Sequence, residues 1–378
     1  MNREKVMKHY NIPIFIPHLG CPYDCIYCNQ KVIAAQVEIP EPRDVTHIIE
    51  QYLGTIPEEA VVEVAFFGGN FTAINRRQQE EYLQAVQPFL KQGRVESIRV
   101  STRPDCIDET VLDLLTHYGV KLIELGVQSM SDKVLQASIR NYGPIDVCKS
   151  CHLIKERHLD LGIQLMVGLP GDSYTQDMET TLQVISLRPQ VVRIYPTLVI
   201  ADTALEVMWN RGEYIPLGLD EAVTICQDMF LLLQKENIRV IRMGLYPGEE
   251  LRSDGVVKAG PFHSSFGELV EQKIFKRQAE AAIMLHRDKF GKQSEIDLYV
   301  HFRDVSKMTG RKRSSLSELK ERWALDAIRL TGKPEHKRNW IGVSAAGAPT
   351  TELLLTREQF LKIWSLKGNI QFERMDEF

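Results

Sequence analysis

The sequence predicts an α/β fold: a partial (β/α)6 TIM-type barrel followed by a small C-terminal α+β accessory domain. Two observations carry this. From Asn11 to about Ile200, short apolar runs of strand length alternate with segments of helical period. The residues able to do chemistry fall at the ends of those runs, where α/β barrels place their active sites. Six repeats instead of eight leave the barrel open on one side, wide enough for a large substrate. A doubly wound open sheet is the alternative for the same alternation.

Taken in order, strands are expected at 12–16, 61–67, 97–101, 121–125, 161–167 and 191–195. Helical spacing of apolar residues runs through 45–52, 76–90, 107–117, 145–157 and 174–185. Pro57, Gly93 and Gly119 follow the first three of these as stop signals. A further helix at 222–233 and a strand at 238–243 complete a barrel domain spanning 1–245. Residues 246–290 read as a lid loop and a connecting helix, and 291–378 as the small C-terminal domain.

With 378 residues the chain can bury a large core, and 44% hydrophobic with 25% charged is globular composition. A net charge of −4 excludes a global nucleic-acid footprint, so any such site is a local patch. The first ten residues are charged and lack a signal-peptide core. No apolar run is long enough to span a bilayer, so no membrane partner and a cytoplasmic location are expected. Seven cysteines, three of them tightly grouped, favour metal binding over a disulfide framework.

Those three, Cys21, Cys25 and Cys28, stand at C-x3-C-x2-C just after the first strand, and no cysteine follows until Cys106. Thiolates suit iron–sulfur clusters, zinc or cuprous copper. A cubane held by three thiolates leaves one iron without a protein ligand, open to a substrate or cofactor. Tyr27, beside the last cysteine, can lay its ring against a planar ligand. A zinc knuckle short of one ligand, or three incidental buried cysteines, are the competing readings.

The other strand ends carry their own signals. Gly68 and Gly69 let the backbone approach a ligand closely, with Asn70 beside them. Ser101 and Arg103 offer a hydroxyl and a guanidinium suited to a carboxylate. Gln128 ends the fourth strand, Arg140 follows it, and Gln164 lies in the fifth. Tyr195, Arg242 and His263 are candidates for facing the substrate, His263 from a glycine-rich loop at 255–268. Each has a bland reading too: a tight turn, a salt-bridged loop, a surface arginine, a loop histidine. Their order along the chain, each at a successive strand end, favours a single site.

The C-x3-C-x-aromatic-C pattern resembles the signature of the radical S-adenosylmethionine (SAM) superfamily. The resemblance implies a 4Fe–4S cluster on Cys21, Cys25 and Cys28. Its open iron would chelate the methionine amino and carboxylate groups of SAM, and reduction would yield a hydrogen-abstracting 5′-deoxyadenosyl radical. It implies that Gly68, Gly69 and Asn70 hold the methionine ammonium and that Gln128 bonds the SAM ribose. Gln164 stands where coproporphyrinogen-oxidase-like members usually have a ribose-binding Asp, keeping an acceptor but losing the charge. Arg140 would pair with the methionine carboxylate. The resemblance also implies a reducing electron donor such as flavodoxin or ferredoxin.

Within that superfamily, residues 101–105, 125–129, 193–200, 203–205 and 209–214 resemble the radical domain of the Elongator catalytic subunit, over about two-thirds of the chain. This implies a tRNA-modifying ancestry. The last hundred or so residues show no Q-x-x-G-x-G/A acyl-CoA loop, so acetyl-CoA-dependent chemistry is not expected of them. Strands at 296–300 and 327–330 flank a helix and a Gly310–Arg311–Lys312–Arg313 loop, a pattern resembling a KH-type RNA module without its second glycine. That loop motivates the alternative function, a non-catalytic RNA-binding protein with a structural metal. Cys148, Cys151 and His152 match a haem-attachment spacing but fall inside a helix, and Cys106 and Cys226 read as small core residues.

Overall fold

The computed structural model describes residues 8–16, 25–29, 39–245 and 248–364. Cys21 lies outside them. The described residues form two compact units, 1–219 with 238–264 and 220–237 with 265–378. Residues 246–264 thus fall in the first unit, and the helix that follows falls in the second.

In the first unit, seven parallel strands make one curled half-barrel sheet. They are β1 (His9–Ile16), β2 (Val61–Gly68), β3 (Ser97–Thr102), β4 (Val120–Gln128), β5 (Asp160–Val167), β6 (Val191–Pro196) and, beyond the short β7 (Val199–Ile200), β8 (Arg239–Met243). The order is β1-β2-β3-β4-β5-β6-β8, so β1 and β8 are the two open edges. Six repeats were expected. The seventh strand, foreseen as a strand, joins the barrel by pairing with β6. The intervening helices are α1 (Pro42–Leu53), α2 (Arg76–Lys91), α3 (Glu109–His117), α4 (Asp132–Ala137), α5 (Pro144–Glu156) and α6 (Tyr174–Ser186). Side-chain caps fix three starts: Asn75, Asp108 and Ser173 each accept a backbone N–H three residues on. Asp108 explains why α3 starts after the expected residue 107. The short α4 was not read from the sequence.

After β6 the chain makes β7 (Val199–Ile200), α7 (Ala204–Asn210) and α8 (Leu219–Lys235), the last assigned to the second unit. β9 (Val257–Ala259) pairs antiparallel with β7. The glycine-rich stretch 255–268, expected as a loop, therefore contains a strand.

The strands' polar interior residues form a charge ladder. Glu63 on β2 takes Arg99 Nη2 at 2.6 Å, Arg99 Nη1 reaches Glu124 at 3.0 Å, and Arg193 Nε meets Glu124 at 2.7 Å. Glu124 is buried, and it serves two arginines from β3 and β6 across β4 and β5. Gly162 on β5 makes room for it, since a Cβ there would lie 2.7 Å from Glu124 Cγ and 3.2 Å from Val191 Cγ2.

In the second unit, α9 (Phe266–Phe290) packs on a four-stranded sheet of β10 (Glu295–His301), β11 (Ala327–Lys333), β12 (Ile341–Ala345) and β13 (Leu353–Leu355). The order is β11-β10-β12-β13, with β10 and β11 parallel and the other pairs antiparallel. Between β10 and β11 run α10 (Val305–Thr309) and α11 (Ser314–Arg322), and α12 (Arg357–Ile363) follows β13. Ile296, Leu298 and Val300 are buried, alternating with less buried neighbours as a one-sided sheet requires. α12 is tied in by buried Arg357, whose Nε donates to Gln278 of α9 at 2.7 Å.

Gly162→Ala tests the ladder. The pinned Glu124 chain cannot withdraw from the new methyl, so a loss of about 1–3 kcal/mol is expected, measured by urea unfolding.

Candidate active site at the strand ends

The site begins where β1 delivers the chain to the cysteine loop. Cys28 N donates to Cys25 O at 2.9 Å, closing a turn that brings the two sulfurs' residues onto one short segment. Cys25 is buried and Cys28 half-buried. Cys25, Ile26 and Tyr27 share an apolar cluster with Val134, Met166, Leu169, Val199, Leu205 and Tyr214. Cys28 and the sequence-flagged Tyr195 pack against the same cluster. The Tyr27 hydroxyl is buried without a partner among the described residues, and burial pushes its pKa up.

Arg140 reaches this loop directly. Its Nη1 donates to Cys25 Sγ at 3.1 Å, its Nη2 to Gly126 O at 2.5 Å and its Nε to Tyr142 Oη at 2.8 Å. The Tyr142 hydroxyl in turn donates to Gly126 O at 2.5 Å, and burial pushes its pKa up to about 12. Burial pulls on the Arg140 pKa, but Tyr27, Tyr142 and the Cys25 sulfur more than offset it, and the group stays charged. Arg103 comes from the other side, 3.9 Å from the same sulfur, held by a bidentate pair to Asp105 at 2.9 and 2.8 Å. Two guanidiniums thus stand at one sulfur.

Gly126 is followed by a register shift in the β4–β5 pairing, and Gln128 sits beyond it at φ +69. A left-handed glutamine at a strand end is uncommon and held by its surroundings. Its Oε1 accepts from Gln164 Nε2 at 3.3 Å, so the two ribose candidates meet. On β2, Gly68 has φ +110, and a Cβ there would lie 2.8 Å from Ile16 O, so only glycine lets β1 and β2 close together at the cysteine loop. Ser101, Gly69 and Asn70 line one small hollow. The Asn70 side chain turns toward β3: its Oδ1 accepts from Thr102 at 2.5 Å, and its Nδ2 donates to Cys106 Sγ at 3.0 Å. Cys106, expected in the core, is a half-buried partner of this loop.

Arg242, at the end of β8, donates from Nε to Gly244 O at 3.2 Å. His263 is half-buried and follows Phe262, which packs on Leu198 and Ile200. Neither shares the apolar cluster that gathers Tyr195 with the cysteines.

Tyr142, the packing of 198–214 on the cysteines and the pairing of Asp172 with Asp177 went unread in the sequence. Tyr142 has no motif. The segment 198–214 clamps the loop from outside: Leu205 N donates to Ile26 O at 2.8 Å, Asn29 Nδ2 to Ala201 O at 3.0 Å, and Tyr214 Oη to Gly168 O at 2.6 Å. Asp172 and Asp177 form a carboxyl pair beyond Gly168–Gly171. Burial pushes both pKa values up, and Asp177 is also raised by the neighbouring Asp172.

Two family models match the chain: the radical SAM superfamily over residues 15–185 and the radical SAM C-terminal domain over 189–276, between them more than half of it. The chain belongs to the radical SAM superfamily. It is similar to the tRNA uridine(34) acetyltransferase of Methanocaldococcus infernus, 30% identical over 230 residues, covering 59% of this chain and 42% of that one. An uncharacterized protein of Methanocaldococcus jannaschii is 29% identical over 237 residues, covering 58% of this chain and 71% of its own. Elongator complex protein 3 of Homo sapiens is 29% identical over 190 residues, with 44% and 34% covered. The chain thus spans about two-fifths of the length of the archaeal acetyltransferase and a third of the human protein. The solved structure of Methanocaldococcus infernus Elp3 with its N-terminus deleted matches the fold with a TM-score of 0.57 at 24% identity, over 72% of this chain and 63% of that one.

A radical SAM chain is a SAM-dependent iron–sulfur enzyme, and the reading as a non-catalytic protein with a structural metal gives way to it. The residues present fit those groups. Two of the three cysteines share one turn, cations stand at a sulfur, and Tyr27 of the same turn has an orphaned buried hydroxyl. Cys21, the third ligand implied, lies outside the described residues. No helix among the described residues is long and apolar enough to cross a membrane.

Two variants test this electrostatic arrangement. Arg140→Met leaves Gly126 O with one donor fewer and the sulfur without its nearest cation. Cluster retention under a chelator is expected to weaken about tenfold or more, read as iron and sulfide content, with Arg140→Lys in between because an ammonium cannot serve the three acceptors in one plane. Asp177→Asn tests the carboxyl pair. Because the folded pKa is raised, the folded state holds a proton that the unfolded chain has lost, so wild-type stability falls as pH rises from the ordinary Asp value through the folded one. The Asn variant lacks this loss, and its melting-temperature advantage should grow with pH in thermal scans from pH 4 upward.

Proposed function

We propose that this enzyme uses Cys21, Cys25 and Cys28 to hold a 4Fe–4S cluster and modifies a tRNA base within the half-barrel. When bound, the cluster and SAM supply a reductively generated adenosyl radical that abstracts hydrogen from the substrate. The chain's own residues do the rest. Gly68, Gly69 and Ser101 offer the methionine end of SAM a close backbone and a hydroxyl, while Asn70 fixes that loop by its bonds to Thr102 and Cys106. Gln128, with Gln164 behind it, takes the ribose hydroxyls, and Tyr27 borders the adenine. Arg140 and Arg103 balance charge at Cys25. Tyr195 faces the substrate from β6, with Arg242 and His263 as further candidates on the later strands.

The observation that carries the reading is the convergence of β1, β3 and β4 on one sulfur through Arg103 and Arg140. The tRNA substrate is supported by likeness to the tRNA uridine(34) acetyltransferases. In this reading residues 1–245 catalyse, 246–290 cover and connect, and 291–378 contact RNA through the basic loop Gly310–Arg313. The location is cytoplasmic, and a flavodoxin or ferredoxin delivers the electron.

Anaerobically reconstituted enzyme with SAM and dithionite is expected to release 5′-deoxyadenosine, and Cys25→Ala to release none. Gln128→Ala should weaken SAM binding about tenfold, the loss of one or two hydrogen bonds. Mass spectrometry of tRNA nucleosides with and without the gene identifies the product. Unchanged nucleosides would remove the tRNA substrate while leaving SAM cleavage intact.

A further inference from the structure

The second unit carries a cluster of aromatic and basic side chains that the chemistry above does not use. β10 and β11 run parallel, and their register pairs His301 with Lys333 at the last rung. Both strands therefore end side by side. Gly332 lets them close: a Cβ there would lie 2.9 Å from Phe302 Cα and 2.8 Å from Val305 Cγ2. A buried carboxylate then fixes a second segment to this end. Asp304, fully buried, accepts from Arg338 Nε at 2.7 Å and from Asn339 N at 2.9 Å, and Arg338 holds its pKa below the ordinary value despite burial. This clip brings Lys337 and Trp340 to the strand ends.

The surface so assembled alternates rings and cations. Lys333 Nζ stands 3.8 Å from the Tyr299 ring centroid, Arg303 5.4 Å from Phe302 and Lys337 5.2 Å from Trp340. Phe302 remains 50% exposed even with Arg303 and His301 against it. From 299 to 340 the chain has eleven Lys or Arg and five Asp or Glu, a local positive field in a chain of net charge −4. Exposed rings interleaved with cations are the chemistry that single-stranded nucleic acid recognises, bases stacking on rings and phosphates pairing with cations.

We propose that the joint end of β10 and β11 is a binding site for single-stranded RNA, with an unpaired base stacked on Phe302 and its flanking phosphates on Lys333 and Lys337. The site is separate in residues from the basic loop at 310–313. The choice of RNA as partner rests on the tRNA reading above.

Fluorescence anisotropy of the full-length holoprotein with a labelled unstructured RNA 12-mer tests it. Phe302→Ala should weaken binding about tenfold, and Phe302→Trp should keep it. Lys333→Gln with Lys337→Gln should reduce the slope of log affinity against log salt by about 1.4. Thermal melts and 5′-deoxyadenosine release report that each variant is folded. Binding by Phe302→Ala and the double variant at wild-type strength, or a hairpin duplex bound as tightly as the 12-mer, overturns the site. Unchanged tRNA nucleosides together with these losses of binding would remove the proposed substrate yet uphold the site.

Discussion

The first unit is built around one buried guanidinium. Arg140 has its donors on a sulfur of the cysteine loop, a carbonyl at the end of β4 and a hydroxyl between them. A cation taken out of water is costly unless its partners are close and numerous. Here the carbonyl and hydroxyl satisfy its hydrogen bonds, and the sulfur is the partner able to carry full negative charge. The Cys25 sulfur is thereby held in place by a hydrogen bond from a buried cation. The same contact sets the end of β4. Gly126 must present its carbonyl to Arg140, and the register shift that follows turns Gln128 toward Gln164. The Cys25 sulfur and the Gln128–Gln164 pair are thus linked through Arg140 and Gly126.

The clamp over the cysteine loop explains the Elongator-like phrases from 193 to 214. Their apolar members Val199, Leu205 and Tyr214 bury the cluster residues Cys25 and Tyr27, and backbone bonds from Leu205 and to Ala201 fix the loop's path. A loop rich in cysteine has little intrinsic preference for one shape, so its geometry must come from what packs on it. Similarity of this segment to distant members is what a shared loop geometry would require. Below it, Glu63, Arg99, Glu124 and Arg193 tie β2, β3, β4 and β6 together without placing an unpaired charge inside the sheet.

The six expected strands were legible because each is a short apolar run ending in residues poor for strands. The seventh, Arg239–Met243, was placed in the barrel domain as a strand but not counted among its β-α repeats, and it forms one edge of the sheet. The cysteines and Gln128 were legible from spacing. Arg140 was flagged for its guanidinium, but its contacts with Cys25, Gly126 and Tyr142 were not legible, because they join residues far apart in the chain. Asn70 was flagged too, while the bonds of its amide to Thr102 and Cys106 were not foreseen. Tyr142 and the Asp172–Asp177 pair left no signal, because their importance lies in burial and in neighbours far along the chain.

The basic loop of the second unit shows the limit of motif reading most plainly. Its second glycine is missing, which in sequence weakens the likeness to a glycine-clamped RNA module. Yet Lys312 and Arg313 stand at φ +52 and +65, the left-handed conformation for which glycine would be the easy choice. Such a conformation costs about 1–2 kcal/mol per residue for a side chain bearing Cβ. It persists because Gly310, at φ +70 and ψ 172, leaves room for Ser314 and Ser315 where a Cβ would clash, and because α10 and α11 fix both ends of the turn. The backbone thus takes the path that glycine would give it, while positions 312 and 313 present cations to solvent. Glycine at 312 and 313 would relieve that strain, so the two exposed cations are carried at a cost in backbone free energy.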